Sequence, residues 1–512
     1  MIRFGKIIDD YFAKSIVFCT FAAKLSTIKP MQKIIGRAYE TAELQRLYDS
    51  GKPELVVMYG RRRVGKTFLI REFFDGRFAF YHTGLSQQET GLSNQKDSQL
   101  QNFASSLRRF GMTKQGIPSN WLTAFDDLQA LLKEKIQSLP GQRQVVFIDE
   151  LPWMDTPRSG FLPALEHFWN GWGAGQTQLM LIVCGSATAW ISDHLLHDKG
   201  GLYGRKTSEI KLHPFTLSEA EQYYKEQGIK LDRYAQMQLY MMLGGIPYYM
   251  SFVRKGDSVE QTVANLFMGR DAKLADELEQ LFVSLFTNHQ DCMRIIQLLS
   301  TRKTGFSRKE IAEKTGMPYG GGLTKTLKAL AESDFIQRYE YYGLPAKEER
   351  YRLVDFFSLF ALTVLEKRSK PDADVWKGQF DKKVMEAWYA FAFETLCWNH
   401  IAQIKKALGI ASVQTAEFSW RAEATDEHPG AQIDLIIRRA DRIINLCEMK
   451  FSIGEYLIDK ADDATIRNKI ATYQRLTRCK ESIHPILVTT YGLAANKYSG
   501  LIQKTVTMDD LF

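Results

Sequence analysis

The sequence predicts an α/β fold opened by a parallel sheet with flanking helices. Three features carry that expectation. The apolar run Glu54–Tyr59 ends in a glycine loop, residues 60–67, that passes straight into a helical pattern. A second apolar run begins at Gln144 and ends at Asp149 and Glu150. Far downstream, residues 430–451 alternate apolar and polar side chains about a short turn. A chain of 512 residues is too long for one core, so about two to four domains are expected.

Composition narrows the class. Hydrophobic residues make up 45% and charged residues 25%, ordinary for a soluble globular protein. The formal charge of +8, from 67 basic and 59 acidic residues, permits contact with nucleic acid without indicating it, because a basic patch must be local to matter. The six cysteines are scattered and none forms a C-x-x-C pair, which argues against a zinc site or redox dithiol and fits a reducing compartment. No apolar run reaches the roughly 20 residues of a membrane span. A cytoplasmic protein with no membrane partner is expected. Residues 16–23 are apolar but bracketed by Lys14 and Lys24, so residues 1–30 read as a dispensable N-terminal extension, with Met31 a natural beginning.

The first apolar run reads as a buried parallel strand. The loop Gly60-Arg61-Arg62-Arg63-Val64-Gly65-Lys66-Thr67 matches G-x-x-x-x-G-K-[ST] at every fixed position, and strand, loop and helix are the context that supports a P-loop. Its glycines let backbone N–H groups turn toward phosphates, and the helix start adds partial positive charge. ATP is the expected cofactor, held by residues 60–67, with Lys66 reaching the β- and γ-phosphates and Thr67 ligating Mg²⁺. Asp149 at the end of the second strand is expected to hold the same ion. Glu150 is expected to polarise the attacking water. A third strand, residues 178–183, leads to Ser186, either a γ-phosphate sensor or a plain turn residue. Arg205 follows a glycine loop as either an arginine finger toward a neighbouring subunit of a homo-oligomer or a structural ion-pair partner.

These residues, taken in order, carry a resemblance. Ile35-Gly36-Arg37, the P-loop with its three arginines, Ile148-Asp149-Glu150-Leu151-Pro152-Trp153, Cys184-Gly185-Ser186, Leu202-Tyr203-Gly204-Arg205 and Leu212-His213-Pro214-Phe215 resemble the archaeal-type P-loop ATPase family, a branch of the AAA+ and STAND NTPases. Leu243-Gly244-Gly245-Ile246-Pro247-Tyr248 is similar to that family's Gly-Gly-x-Pro segment in a helical lid. The resemblance spans residues 31–270. It implies an ATPase core at 31–215, a lid at 216–280, and a Gly36-Arg37 pair beside the adenine.

In the middle of the chain, residues 291–301 have helical apolar spacing. Ser307 and Glu310 form a capping box opening a helix that ends at Gly316. Leu323, Leu327 and Leu330 mark one face of a third helix, with Lys325 and Lys328 outside it. Residues 336–342 and 350–354 read as strands about a Gly-Leu-Pro tip. Three helices and a β-ribbon describe a winged helix-turn-helix at 285–365, which either binds DNA through the Lys325 and Lys328 helix or packs against protein.

The last domain is expected at 375–512. A helical stretch at 376–404 contains Glu394, a strand follows near 412–418, and residues 430–451 read as a β-hairpin. Glu448 and Lys450 are two apart and share a face. A three-residue turn sets Asp434 opposite Glu448. Two carboxylates and a lysine in one place can hold Mg²⁺ through the acids while Lys450 orients or activates a water against a phosphodiester. Asp434, Glu448 and Lys450 are similar to the signature of the PD-(D/E)xK nuclease core, the restriction-endonuclease-like α/β fold, and Glu394 to its upstream helical acid; Ile433 stands where the signature has proline. The resemblance implies Asp434 and Glu448 as metal ligands and all three as catalytic. The sequence therefore reads as an ATPase acting on DNA through a winged helix and a nuclease-like domain. The rival readings are an ATP-driven switch or scaffold with a catalytically silent C-terminal domain, and a transcription regulator with ATP as signal.

Overall fold

The computed structural model describes residues 34–86, 89, 95–196, 201–202, 204–268, 272–339, 349–365, 382–424 and 429–512. The expectations for residues 1–30, Tyr203, the Gly-Leu-Pro tip at 343–345 and residues 376–381 lie outside them. Five strands, β1 (Glu54–Tyr59), β2 (Phe80–Thr83), β3 (Gln144–Asp149), β4 (Leu179–Gly185) and β5 (Ser208–Lys211), form a sheet in the order β2-β3-β4-β1-β5. Every pairing is parallel. Parallel strands need covered faces, and the side chains alternate accordingly. Val56, Met58, Phe147 and Ile182 enter one core. Leu55, Val57, Ile148 and Leu181 enter a separate core beneath the helices Gln95–Arg109, Trp121–Ser138 and Phe161–Gly171. β1 and β3 end on the same edge, which puts the glycine loop beside Asp149.

Beyond β5 the chain is helical through Leu217–Glu226, Arg233–Leu243, Pro247–Met250 and Val259–Phe267. Helices His289–Ser300, Arg308–Thr315 and Gly321–Glu332 follow, with a small antiparallel sheet of β6 (Phe306–Ser307), β7 (Ile336–Tyr339) and β8 (Arg350–Leu353) in the order β6-β8-β7. The capping box of Ser307 and Glu310 is present, and Gly316 closes that helix with φ 71°. Helix Gly321–Glu332 lies against the first domain. Lys328 Nζ reaches Asp193 Oδ1 at 2.6 Å, and Ser192 Oγ donates to Glu332 Oε1 at 2.7 Å. Lys325 and Lys328 are both exposed, as expected of the outer side of this helix, and Lys328 also pairs at the surface with Asp193 of the ATPase half.

Helices Lys382–Asn399 and Ile401–Leu408 lead to a second five-stranded sheet of β9 (Thr415–Ala422), β10 (Ala431–Arg439), β11 (Ile443–Lys450), β12 (Ser482–Thr489) and β13 (Lys504–Val506), ordered β13-β12-β11-β10-β9. β9, β10 and β11 pair antiparallel; β11, β12 and β13 pair parallel, with helix Lys460–Thr477 crossing between β11 and β12. β9 starts three residues later than the apolar pattern suggests. One apolar core runs without a break from the first sheet through Met241, Phe282, Leu330 and Phe357 to Leu435 and Val488 of the second sheet. Among the described residues no helix is long and apolar enough to cross a membrane.

His400 fastens the two halves. Its Nε2 accepts the Leu217 N–H at 3.2 Å, and its Nδ1 donates to the Leu396 carbonyl at 2.9 Å. Burial pulls the ring down to about 4, since a protonated Nε2 has no lone pair for Leu217. The folded ring thus refuses a proton that the unfolded ring accepts near 6.5. Its contribution is present above that value and lost as pH falls toward about 4, on the order of 3 kcal/mol in all. Denaturation between pH 7 and pH 4 should show a shallower pH dependence in His400→Gln than in the wild-type protein; identical slopes would remove this assignment.

Candidate functional site

The glycine loop leaves β1 through Gly60 at φ 144°; a side chain there would strike the Leu212 carbonyl. Arg63 and Gly65 also take positive φ, 73° and 94°, which folds the loop over the start of helix Lys66–Phe73. Lys66 is buried and its Nζ caps the carbonyls of Gly60 at 2.8 Å and Arg61 at 3.0 Å. Thr67 Oγ1 donates to Asp149 Oδ2 at 2.6 Å. Two hard oxygen donors in contact at a P-loop fit a Mg²⁺ ion carried with a nucleotide.

Glu150 sits in the left-handed region, φ 49° and ψ 49°, a strained place for a side-chain-bearing residue. Its Oε2 accepts from both the backbone N–H and the hydroxyl of Ser186, at 3.2 and 2.9 Å. Burial raises its carboxyl above the usual range, against the pull of Lys66. Ser186 therefore spends its donors on Glu150. Arg205 is exposed. Because Thr207 N bonds Leu55 O and Val56 pairs with Ser208, Arg205 lies beyond the N-terminal ends of β1 and β5. At about 3.3 Å per residue that is roughly 20 Å from its own P-loop.

The three arginines of the loop point to three different elements. The Arg61 guanidinium is buried against Asp355 and lies over Phe335, 4.7 Å from the ring centre. Arg62 faces Trp153 at 5.9 Å. Arg63 pairs with Glu277 at 2.8 Å and covers Tyr248 at 4.1 Å. The side chains of Arg61 and Arg63 are thus engaged elsewhere, which leaves their backbone N–H groups for a phosphate. Arg37 donates to the carbonyls of His213 at 2.7 Å and Val64 at 3.1 Å and stacks on Phe215, tying the segment before β1 to the loop.

The second cluster lies at the hairpin of β10 and β11. Leu435 opposes Cys447, so Asp434 and Glu448 are neighbours across the ladder. The pairing with β9 shifts between Ile433 and Ile436. The bulge switches the faces: Ile433 packs into the outer core, Leu435 into the main one. The Asp434 carbonyl is taken up by Trp398 Nε1 at 3.2 Å and Ser419 Oγ at 2.9 Å. Bulges of this kind re-aim a side chain. Burial, then Glu448, raise the Asp434 carboxyl. Burial, then Asp434, lift Glu394 to about 7 in spite of Lys303. Glu448 Oε1 pairs with Lys450 at 3.2 Å, and its Oε2 accepts from Lys469 at 2.6 Å. Among the described residues no three His, Cys, Asp or Glu groups are gathered as a ready metal cage. A Mg²⁺ ion that keeps its waters needs only one or two carboxylates and a phosphate, and Asp434 with Glu448 fit that demand.

Sequence reasoning brought together Asp434, Glu448 and Lys450 but missed Lys469, Lys303 and Asp355. Lys469 had a signal: it stands three after Ile466 and four before Tyr473, both buried, on the helix face turned to the sheet. Lys303 and Asp355 reach their partners across 91 and 294 residues, and no local pattern marks them.

Residues 35–253 match the model of an ATPase domain found predominantly in archaea. This part of the chain is an archaeal-type P-loop ATPase domain, which binds and hydrolyses ATP. The chain is 24% identical over 415 residues to an uncharacterized protein of Methanocaldococcus jannaschii, covering 78% of this chain and 83% of the relative. A 43-residue stretch, 8% of this chain and 73% of the relative, is 42% identical to an uncharacterized ATP-binding protein of the same organism. Among solved structures, the Walker-type ATPase of Pyrococcus abyssi is similar at a TM-score of 0.48 and 18% identity, over 66% of this chain and 99% of that chain.

The Arg61 and Asp355 pair yields a direct test. Removing one partner of a buried pair strands the other charge at a cost of about 3–5 kcal/mol, whereas apolar replacement of both is often neutral. Arg61→Ala and Asp355→Ala should each lower the urea midpoint strongly. The double change Arg61→Met with Asp355→Leu should recover most of the loss. A double variant as unstable as the sum of the singles would contradict it.

Proposed function

We propose that this cytoplasmic ATPase acts on DNA, coupling its nucleotide cycle to a metal-dependent, nuclease-like C-terminal domain through a winged helix at residues 285–365. The observation that supports this most is the gathering of Asp434, Glu448, Lys450 and Glu394 at one bulged hairpin of a mixed sheet, in a chain that also carries the ATPase domain.

In the ATPase, Lys66 gives up the carbonyls of Gly60 and Arg61 to bind the β- and γ-phosphates. The backbone N–H groups of residues 60–67 line the phosphate chain. Thr67 and Asp149 would hold Mg²⁺, which supplies charge neutralisation at the phosphates. Glu150, once released by Ser186, orients the attacking water. Arg205, far from its own loop, serves a neighbouring copy in a homo-oligomer. In the C-terminal domain Asp434 and Glu448 would hold a divalent ion that polarises the phosphodiester, and Lys450 positions the water that attacks it. A second reading, the switch or scaffold with a silent C-terminal domain, has its own support. Lys303 sits on Glu394 at 3.1 Å, and the Lys328 end of the third helix is engaged with Asp193.

Two sets of variants separate these roles. Lys66→Ala should weaken ATP binding by at least about tenfold by loss of a buried charge partner. Glu150→Gln should bind ATP normally while hydrolysis falls roughly 10²–10⁴-fold; equal affinity of Lys66→Ala and wild type in a titration would refute the loop assignment. For the C-terminal site, Mn²⁺ should raise the melting temperature of the full chain because it relieves two adjacent carboxylates, and Asp434→Asn should abolish that rise. Lys450→Ala should keep the rise and lose metal-dependent cleavage of plasmid DNA. A wild-type protein that shows neither the thermal shift nor cleavage, with or without ATP, would leave the switch reading in place.

A further inference from the structure

We propose that the C-terminal carboxylate site is held shut by a cap from the middle of the chain, residues 302–305 with β7 and β8, and that Lys303 holds the place of the divalent ion. The inference rests on the nuclease-like reading of that site and adds its regulation.

The cap is built to keep its shape. Arg302 Nε donates to the Gly305 carbonyl at 2.7 Å, and Arg302 Nη2 to Glu310 Oε1 at 2.7 Å. The Tyr339 hydroxyl donates to the Thr304 carbonyl. Gly305, at φ 57°, presses its backbone against the Tyr351 carbonyl, where a side chain has no room. From this rigid turn Lys303 projects into the other domain. Its Nζ meets Glu394 Oε1 at 3.1 Å and lies 5.1 Å from the ring centre of Phe391.

A second contact seats the cap beside the first. Arg352 of β8 is oriented by Gln337, 2.6 Å away, and covers Trp398 at 4.3 Å. Trp398 in turn holds the Asp434 carbonyl. The space left between Lys303, Arg352, Glu394 and Asp434 is about 30 Å³. That admits a water or two, whereas a bound ligand of nucleotide size needs several hundred cubic ångströms. While the cap is seated, little room is left beside Asp434 for a phosphodiester.

The electrostatics explain why a lysine is there. Asp434, Glu394 and Glu448 bring three carboxyl groups to one end of the hairpin, and three lysines face them in the closed state. Lys450 and Lys469 serve Glu448; Lys303 serves Glu394. An entering divalent ion supplies the same charge, so ion binding and cap seating compete. A ligand shifts such an equilibrium by its differential affinity for the two states.

Mn²⁺ titration of the full chain by calorimetry tests this. Lys303→Ala and the size-matched Lys303→Gln should bind Mn²⁺ at least about tenfold more tightly than wild type and cut plasmid DNA faster. Asp434→Asn in either background should lose the binding. Melting curves confirm that the variants are folded. Equal Mn²⁺ affinity with and without Lys303, still lost in Asp434→Asn, would overturn the cap and leave the site standing. No Asp434-dependent binding in any variant would overturn the site itself and the cap with it.

Discussion

A guanidinium placed wholly out of water beside a phosphate-binding loop has to be neutralised, and Asp355 does this for Arg61. The cost of burying an unpaired ion is several kcal/mol, so the loop is stable only when the segment around residue 355 is docked on it. That segment is itself fixed. Asp355 Oδ2 accepts from Ser358 N at 2.9 Å and Ser358 Oγ at 2.5 Å, capping helix Phe356–Phe360, and Phe335 lies under the guanidinium. Arg63 repeats the device toward Glu277, whose carboxyl is raised by burial and is bonded by Tyr249 at 2.8 Å. Two of three consecutive loop arginines therefore act as ties to later parts of the chain. The unbroken apolar core joins the same two halves.

The same residue connects occupancy to docking. Lys66 rests on the carbonyls of Gly60 and Arg61, and the side chain of Arg61 holds Asp355. When a phosphate draws Lys66 away, both carbonyls lose a donor at the residue that anchors the middle domain. Any coupling through this loop is reciprocal: the factor by which nucleotide shifts docking at Asp355 is the factor by which docking shifts nucleotide affinity.

How far the sequence revealed this depended on the range of each interaction. The P-loop, the strand ending in Asp149 and the hairpin with Glu448 and Lys450 are local patterns, readable from period and spacing. The capping box at Ser307 is equally local, and its geometry is as the pattern implies. The short edge strands β2 and β5, of four residues each, carry too little periodicity to stand out. The bulge at Asp434 was hidden because the run Ile433-Asp434-Leu435-Ile436-Ile437 is apolar on both sides of the shift, and both faces of the strand are buried. Lys328 is exposed as its position implies, but its partner Asp193 lies 135 residues away and could not be read. Charge partners set by tertiary packing leave no trace in a single sequence.

Helix Arg233–Leu243 touches both halves of the chain. At its C-terminal end Gly244 and Gly245 both take positive φ; a side chain at Gly245 would strike the Phe215 carbonyl, and the Phe215 N–H donates to the Gly245 carbonyl at 2.8 Å. That end is thus pinned to the exit of β5, beside Arg37 and the glycine loop. At the other end Tyr234 stacks on Phe451 at 5.2 Å and Tyr491 at 5.8 Å, and Arg233 pairs with Asp509 at 2.9 Å. Phe451 directly follows Lys450. The helix is about 16 Å long, and a helix bends little over three turns. The helix therefore links the exit of β5 rigidly to the end of β11. The cap at Lys303 belongs to a different element, the unit tied to Arg61 through Asp355. The two elements thus reach the carboxylate cluster from different places: helix Arg233–Leu243 beside Lys450, and the unit tied to Arg61 beside Lys303.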